Sequence, residues 1–435
     1  MSRASKSAVG NLLTQVVSYP IAVAIGILTA RTLGADGKGI YVFLVLLIKG
    51  ILPILMLGFG GGVQYYIGSE RFDMRSTAFT TLLVALGWGS LIGVFIYGLW
   101  YWGLLGETGD AIPVEAMLIT VITLPFTAVY ILFSLALKGA FEFKLHNALT
   151  IAKNVSLAGF LLGLVYFANQ GIVGAAYALL CEAIGTALFL VIVLSRKYRP
   201  TLSFNSEYTR LSFVYGTKIW LGSLAQQSND KLDQIILGVM NSPQLLGIYS
   251  VAFSIVRMMN FLPNAIAPVF FNLIARSKDP QREVELTAQM NRSLLLIVGS
   301  ASLILVVAAP WLIDLFYGPE FVDAYYPMLI LIPGMLAFAI TRRILSKYLA
   351  GKGKPQVVSL IQGVGAILGI LLYIVLIPYL DVVGAALGST AAYIASTVVA
   401  VYYFNKTASP HRANLFLATA DDLRWIVSKV KSINR

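Results

Sequence analysis

The sequence is short of the residues that most catalytic chemistry needs. A single cysteine, Cys181, stands in 435 residues, which excludes a disulfide framework, a CxxC pair and a cysteine metal cluster. The two histidines, His146 and His411, lie far apart in polar stretches and build no His/Cys/carboxylate constellation, so neither a metal nor another cofactor is expected. Charged residues make up only 12% of the chain against 58% hydrophobic ones, a balance that excludes a soluble globular protein. Long polar connectors are missing as well, the longest being roughly 17 residues. A membrane glycosyltransferase or polysaccharide polymerase needs a sizeable loop bearing acid and base residues, so an enzyme is not expected.

What is present is a succession of apolar runs of about 20 residues, the length that crosses a hydrocarbon core. They predict helices near 8–30, 39–67, 76–100, 112–137, 147–168, 171–194, 211–239, 245–274, 291–316, 324–350, 355–378 and 381–404. The first run is too long for the core of a signal peptide and is expected to be retained. Basic residues then fall on alternate connectors. With Ser2 on the cytoplasmic side, 26 of the 32 lysines and arginines collect there, Lys153 counted among them, against Arg31 and Lys38 opposite. The positive-inside rule therefore places both termini in the cytoplasm. The net charge of +12 is accounted for by topology, and no nucleic-acid partner is expected.

Four basic residues remain inside the spans: Lys49, Lys218, Lys231 and Arg257. Lys49 follows Gly39 by ten positions, roughly 15 Å along a helix and about mid-depth in a core some 30 Å thick. It has a counterpart. "GIYVFLVLLIKGIL" at 39–52 and "GIYSVAFSIVRMMN" at 247–260 both open on Gly-Ile-Tyr and carry a cation ten positions on, Lys49 and Arg257. "IVGAA" at 172–176 matches "VVGAA" at 382–386, and Gly159 and Gly163 match Gly365 and Gly369. The offsets of 208, 210 and 206 mark an internal repeat of two six-helix halves, parallel in orientation.

The expected architecture is thus an all-α integral membrane protein with twelve transmembrane helices in two pseudo-symmetric lobes. The N-terminal lobe covers 1–200, the C-terminal lobe 201–404 and a cytoplasmic tail 405–435. In parallel-repeat transporters the binding site lies between the halves at mid-membrane, which would set Lys49 and Arg257 across a central cavity. The alternatives for Lys49 alone are a snorkelling side chain or half of a structural ion pair.

The seventh span is the most polar. Lys218, Gln226, Asp230 and Asp233 recur there at intervals of eight, four and three, which keeps them largely on one helical face. Local ion pairing of Asp230, Lys231 and Asp233 is the other reading. Ser250, Ser254, Arg257, Asn260 and Asn264 continue a polar face in the eighth span, and Asn11, Gln15 and Ser18 form an uncharged one in the first. Arg342 either rims a cytoplasmic mouth or anchors the tenth span. Lys49, Arg257, Lys218, Arg342, Asn264 and Gln226 are the candidate substrate contacts; Asp230, Asp233 and Glu182 are candidates for coupling to a proton or sodium gradient. "GFGGGVQ" at 58–64 lacks the strand-then-helix context of a phosphate loop and reads as close helix packing or a weakened helix end. The tail sequence "DDLRWIVSKVKSINR" reads as a basic amphipathic segment or as solvated helix.

The whole chain resembles the polysaccharide transporters, the Wzx-like O-antigen flippase group of the multidrug/oligosaccharidyl-lipid/polysaccharide exporter superfamily. The features are "SKSAVGNLLTQVVSYPIAVAIGILTARTLGADGKGIY" at 5–41, above all "ARTLGADGKGIY", together with "GIYSVAFSI" and the two six-helix halves. The resemblance implies a MATE-like fold in a bacterial plasma (inner) membrane. It implies a flippase that carries an undecaprenyl-diphosphate-linked oligosaccharide from the cytoplasmic to the outer leaflet by alternating access through a basic central cavity. Its partners would be that lipid-linked glycan, membrane lipids, and a polysaccharide polymerase and chain-length regulator. A multidrug or organic-cation antiporter of the same superfamily is the alternative, and it should hold carboxylates where this chain has cations.

Overall fold

The computed structural model describes residues 3–276, 279–411, 413–417 and 422, and among them it contains helices and turns but no strand. An all-helical chain is the expected answer to an apolar solvent, because a helix satisfies its own backbone donors and acceptors. Nine helical stretches among the described residues are long and apolar enough to cross a membrane. The chain is a multi-pass membrane protein.

Two compact units divide it. The first comprises Met1–Ser250 with Phe316–Glu320, the second Val251–Leu315 with Phe321–Arg435. In the first unit, α1 (Arg3–Leu46) is broken at Gly34, whose φ of 68° and ψ of −174° only glycine adopts without strain. A π-helical turn, Leu47–Ile51, and the short α2 (Leu52–Leu55) follow. The expected second span therefore does not run unbroken from 39 to 67. It stops at Leu57 and Gly58, both at positive φ, and restarts as α3 (Phe59–Gly68). Next come α4 (Met74–Tyr101), α5 (Gly106–Asp110), α6 (Val114–Gly139), α7 (Phe143–Leu161) with a π-helical end at Leu162–Phe167, α8 (Gly171–Tyr198) and α9 (Ser206–Met240). Side chains one residue ahead start two of these helices: Asp73 accepts from the Ser76 N–H at 2.9 Å and Asn205 from the Tyr208 N–H at 2.9 Å.

α6 lies against α3, α4 and α8, α1 lies along α7 and α8, and α3 is held between α6 and α9. The glycine run is close packing: a Cβ at Gly58 would stand 2.3 Å from the Gly216 carbonyl oxygen, and one at Gly60 2.5 Å from Leu135. Two glycines make close backbone contacts near the Gly-Ile-Tyr segments. A Cβ at Gly39 would fall 1.7 Å from the Pro243 oxygen, and one at Gly247 would fall 2.2 Å from the Ala35 oxygen. Residues 35 and 243, like 39 and 247, are 208 apart, the offset that separates the two Gly-Ile-Tyr segments.

α10 (Pro243–Arg257) opens in the first unit and ends in the second. The second unit continues with a 3₁₀ turn at Met258–Asn260, α11 (Phe261–Arg276), α12 (Pro280–Phe316) and a 3₁₀ stretch at Pro319–Ala324. It closes with α13 (Tyr325–Leu336), a π-helical turn at Ala337–Arg342, α14 (Arg343–Gly351) and α15 (Pro355–Ala408), the last broken at Asp381. α13 and α14 pack on α15, with Phe338 against Tyr393 at 4.4 Å and Tyr348 against Phe404 at 4.9 Å between ring centres. Leu303, Ile304, Val307 and Trp311 on α12, like Ile367, Leu371 and Ile374 on α15, are exposed at three- and four-residue spacing, as lipid-facing stripes are. Of the tail at 405–435, residues 412, 418–421 and 423–435 lie outside the described residues, and with them most of the amphipathic segment.

Candidate functional site

Backbone chemistry places Lys49 before any side chain is considered. In an unbroken α-helix the Lys49 carbonyl would accept from the N–H of residue 53, but that residue is Pro53 and has none to give. The helix answers with the π-helical turn, in which the Leu52 N–H reaches back five residues to the Leu47 carbonyl. The orphaned Lys49 carbonyl is taken up by Lys231 of α9, whose ammonium donates to it. Gly50 leaves the room for this, since a Cβ there would stand 3.3 Å from the Lys231 Cδ.

The Lys49 side chain then meets Glu182 of α8. Its Nζ lies 3.7 Å from one carboxylate oxygen, and the Nζ of Lys153, from α7, lies 3.8 Å from the other. Glu182 is 3% exposed, Lys153 13% and Lys49 27%, so the carboxylate is the innermost of the three and the amines lie nearer the outside. Lys153 also rests on the face of Tyr130 of α6, 3.7 Å from the ring centre. Two ammonium groups, Lys49 and Lys153, thus flank one carboxylate, and a third, Lys231, is bound to the Lys49 backbone. A charge removed from water in this way is costly unless paired, which explains why the carboxylate stands among the amines and not alone.

The other residues singled out from the sequence distribute as follows. On α9, Gln226 donates to Asp230 at 3.1 Å, one turn from Lys231, while Lys218 is exposed. Asp233 is buried and accepts from the Tyr249 hydroxyl at 2.7 Å and from the Gln234 N–H at 2.8 Å. Gln15 Oε1 and Ser18 Oγ of α1 are buried, and the Asn11 side chain lies outside those described.

In the second unit, Arg257 ends α10 as an exposed cation 6.0 Å from the Phe253 ring centre. The helix breaks directly after it, ahead of Pro263, which removes the donor for the Met259 carbonyl. Asn260 donates to the Arg257 carbonyl at 3.3 Å and accepts from Arg343 at 2.8 Å. Arg342 is 6% exposed and lies in its own π-helical turn, 3.8 Å from the Phe338 ring centre. Asn264, half-buried, follows one turn after Asn260.

Lys153 and Tyr130 are members of the first cluster that sequence reasoning missed, and Lys231, singled out there, was not assigned to it. Lys153 had been counted with the cytoplasmic connectors, but the stretch Phe143–Phe167 is itself apolar enough to span and holds Lys153 mid-way. The available signal was its position within the expected 147–168 span.

The polysaccharide biosynthesis protein family matches residues 28–326. No curated protein matches the sequence. Among solved structures, the chain is similar to an inward-facing multidrug resistance MATE family transporter of the MOP superfamily, at 15% identity and TM-score 0.70, covering 92% of this chain and 98% of that one. It is similar to the lipid II flippase MurJ in an inward closed conformation, at 13% identity and TM-score 0.69, covering 91% and 87%. It is also similar to a MOP superfamily transporter from Pyrococcus furiosus described as having a binding pocket of reversed polarity, at 15% identity and TM-score 0.63, covering 93% and 96%. The fold is that of the MATE and MurJ transporters.

Proposed function

The chain belongs to the polysaccharide biosynthesis protein family, and on that premise we propose that it is a flippase for lipid-linked oligosaccharides. The reading takes the substrate to be an undecaprenyl-diphosphate-linked repeat unit, carried from the cytoplasmic to the outer leaflet of a bacterial inner membrane by alternating access. The observation that carries it is the pair of lysines, Lys49 and Lys153, that outnumber the buried Glu182 carboxylate between them within apolar helices. A diphosphate needs such cations to leave water, whereas an organic cation would be repelled by them. Arg257 and Arg342 are assigned as further cationic substrate contacts. Lys218, Gln226 and Asn264 are assigned as further polar contacts to the glycan.

The reading counts the limbs on either side of Gly34 and of Asp381 separately, which takes the nine candidate spans among the described residues to eleven. α9 makes twelve, its Lys218, Asp230, Lys231 and Asp233 keeping it out of the apolar set. Both termini are then cytoplasmic by the distribution of basic residues. No step of flipping makes or breaks a covalent bond, so the reading is of a transporter and not an enzyme. Coupling to a proton or sodium gradient through Asp230, Asp233 or Glu182 belongs to the same proposal, as does hand-over to a polymerase and chain-length regulator.

The test is complementation. In cells whose endogenous flippase has been deleted, expression of this chain should restore surface glycan and clear the lipid-linked repeat units that accumulate in the inner leaflet. Restored efflux of organic cations with no gain in glycan would instead establish the multidrug reading. Glycan output that persists when both ion gradients are collapsed would remove the coupling.

A further inference from the structure

The backbone that carries Lys49 is fixed by the tie of its free carbonyl to Lys231, and the Lys153 ammonium rests on the Tyr130 ring. Glu182 is not held in the same way. Among the described residues no donor other than these two amines reaches its carboxylate, and they do so at 3.7 and 3.8 Å, one to each oxygen. A contact pair of ammonium and carboxylate closes to about 2.7–2.9 Å. The carboxylate therefore stands between two cations without engaging either closely, on a side chain with three rotatable bonds.

We infer that Glu182 is a displaceable counter-ion: a phosphate or diphosphate oxyanion takes its place between Lys49 and Lys153, and the carboxylate turns aside. The inference rests on the flippase reading for the identity of the anion, and it adds what that reading lacks, a means of release. A site of bare lysines would hold a diphosphate too well for a carrier that must let it go. An internal anion that competes for the same amines lowers affinity and restores the empty site once the ligand leaves.

The experiment uses the full chain in lipid nanodiscs, with inorganic pyrophosphate and farnesyl diphosphate as probes. Glu182→Gln keeps the shape and removes the competing charge; it should bind both probes about tenfold more tightly than wild type and export glycan more slowly. Lys49→Gln and Lys153→Gln should each weaken binding by about tenfold. A tighter grip by Glu182→Gln on inorganic pyrophosphate alone would overturn the assignment to a lipid headgroup. A measurement on wild type is independent of how the variants fold: adding pyrophosphate should shift a carboxylate stretching band in the difference infrared spectrum, and an unchanged spectrum at saturation overturns the inference.

The two readings fail differently. If Glu182→Gln binds no more tightly while Lys49→Ala still abolishes export, the counter-ion is wrong and the flippase stands. If Glu182→Gln binds more tightly but the wild-type chain restores no glycan, the anion site stands and the flippase does not.

Discussion

Lys49 and Arg257 occupy the same place in the two halves of the repeat, ten residues after a Gly-Ile-Tyr, yet their surroundings have diverged. Both interrupt a helix, and both interruptions precede a proline, Pro53 or Pro263, that withholds a backbone donor. The repair differs. Around Lys49 the break is a π-helical turn closed by the Lys231 ammonium; after Arg257 it is a 3₁₀ turn tied by the Asn260 amide to Arg343. The charge balance differs more. Lys49 shares a buried carboxylate with Lys153, whereas among the described residues no carboxylate pairs with Arg257, which is exposed. The repeat explains the contrast: the offset of 210 sets Ala392 opposite Glu182, and the offset of 206 sets Ser359 opposite Lys153. The duplicated feature is the backbone device that breaks a helix beside a cation. Among the described residues, the counter-ion is found beside Lys49 and not beside Arg257.

Ways to break this comparison can be ranked by size. Replacing both Lys49 and Lys153 by alanine strands Glu182 as a buried, unpaired charge and should cost about 3–5 kcal/mol of stability, whereas Arg257→Ala strands nothing and should cost under about 0.5 kcal/mol. Thermal melting of the purified variants reads the difference, and equal losses would erase the asymmetry. The reciprocal glycine contact should break alike from either side. Gly39→Val and Gly247→Val each force a side chain into a backbone carbonyl and should each cost about 1–3 kcal/mol, by the same assay.

Lys231→Met tests the repair at Lys49. Its loss leaves the Lys49 carbonyl without that donor, at about 1–3 kcal/mol, and Arg343→Met in the other half should cost about 1 kcal/mol, since Asn260 keeps its bond to the Arg257 carbonyl. The smallest effect belongs to a carboxylate outside the membrane. Asp73, capping α4, is held below the usual carboxylate range by the Ser76 hydroxyl and N–H. Because the folded form favours its ionised state, its contribution is present above the unfolded value of about 3.9 and fades as pH falls below it. Asp73→Ala should cost about 1 kcal/mol or less at neutral pH, and near pH 3 the gap from wild type should narrow.

Much of this was legible from residues. Runs of about 20 apolar residues called for spanning helices, and the all-helical, MATE- and MurJ-like fold is what they predict. "GFGGGVQ" was legible as close packing because only glycine lets two backbones approach so nearly. The assembly around Lys49 was not. Its ion pair joins residues 133 positions apart, and no local period marks such a meeting. Lys153 lies among His146, Asn147 and Asn154, neighbours polar enough to suggest a connector, and only the packing of α7 on α1 and α8 turns it inward. Lys231, flanked by Asp230 and Asp233, suggested a local pair, and no sequence period marks its bond to the Lys49 carbonyl in another segment.

The central claim is that the cations at the helix breaks bind the anionic end of a carried lipid. The most direct measurement is surface-glycan output, in cells lacking their own flippase, for wild type, Lys49→Ala, Arg257→Ala and Lys49→Arg at matched membrane levels. Both alanine variants should lose export by about tenfold or more while Lys49→Arg keeps most of it. Undiminished export from both alanine variants would contradict the claim and leave the two charges a structural role alone.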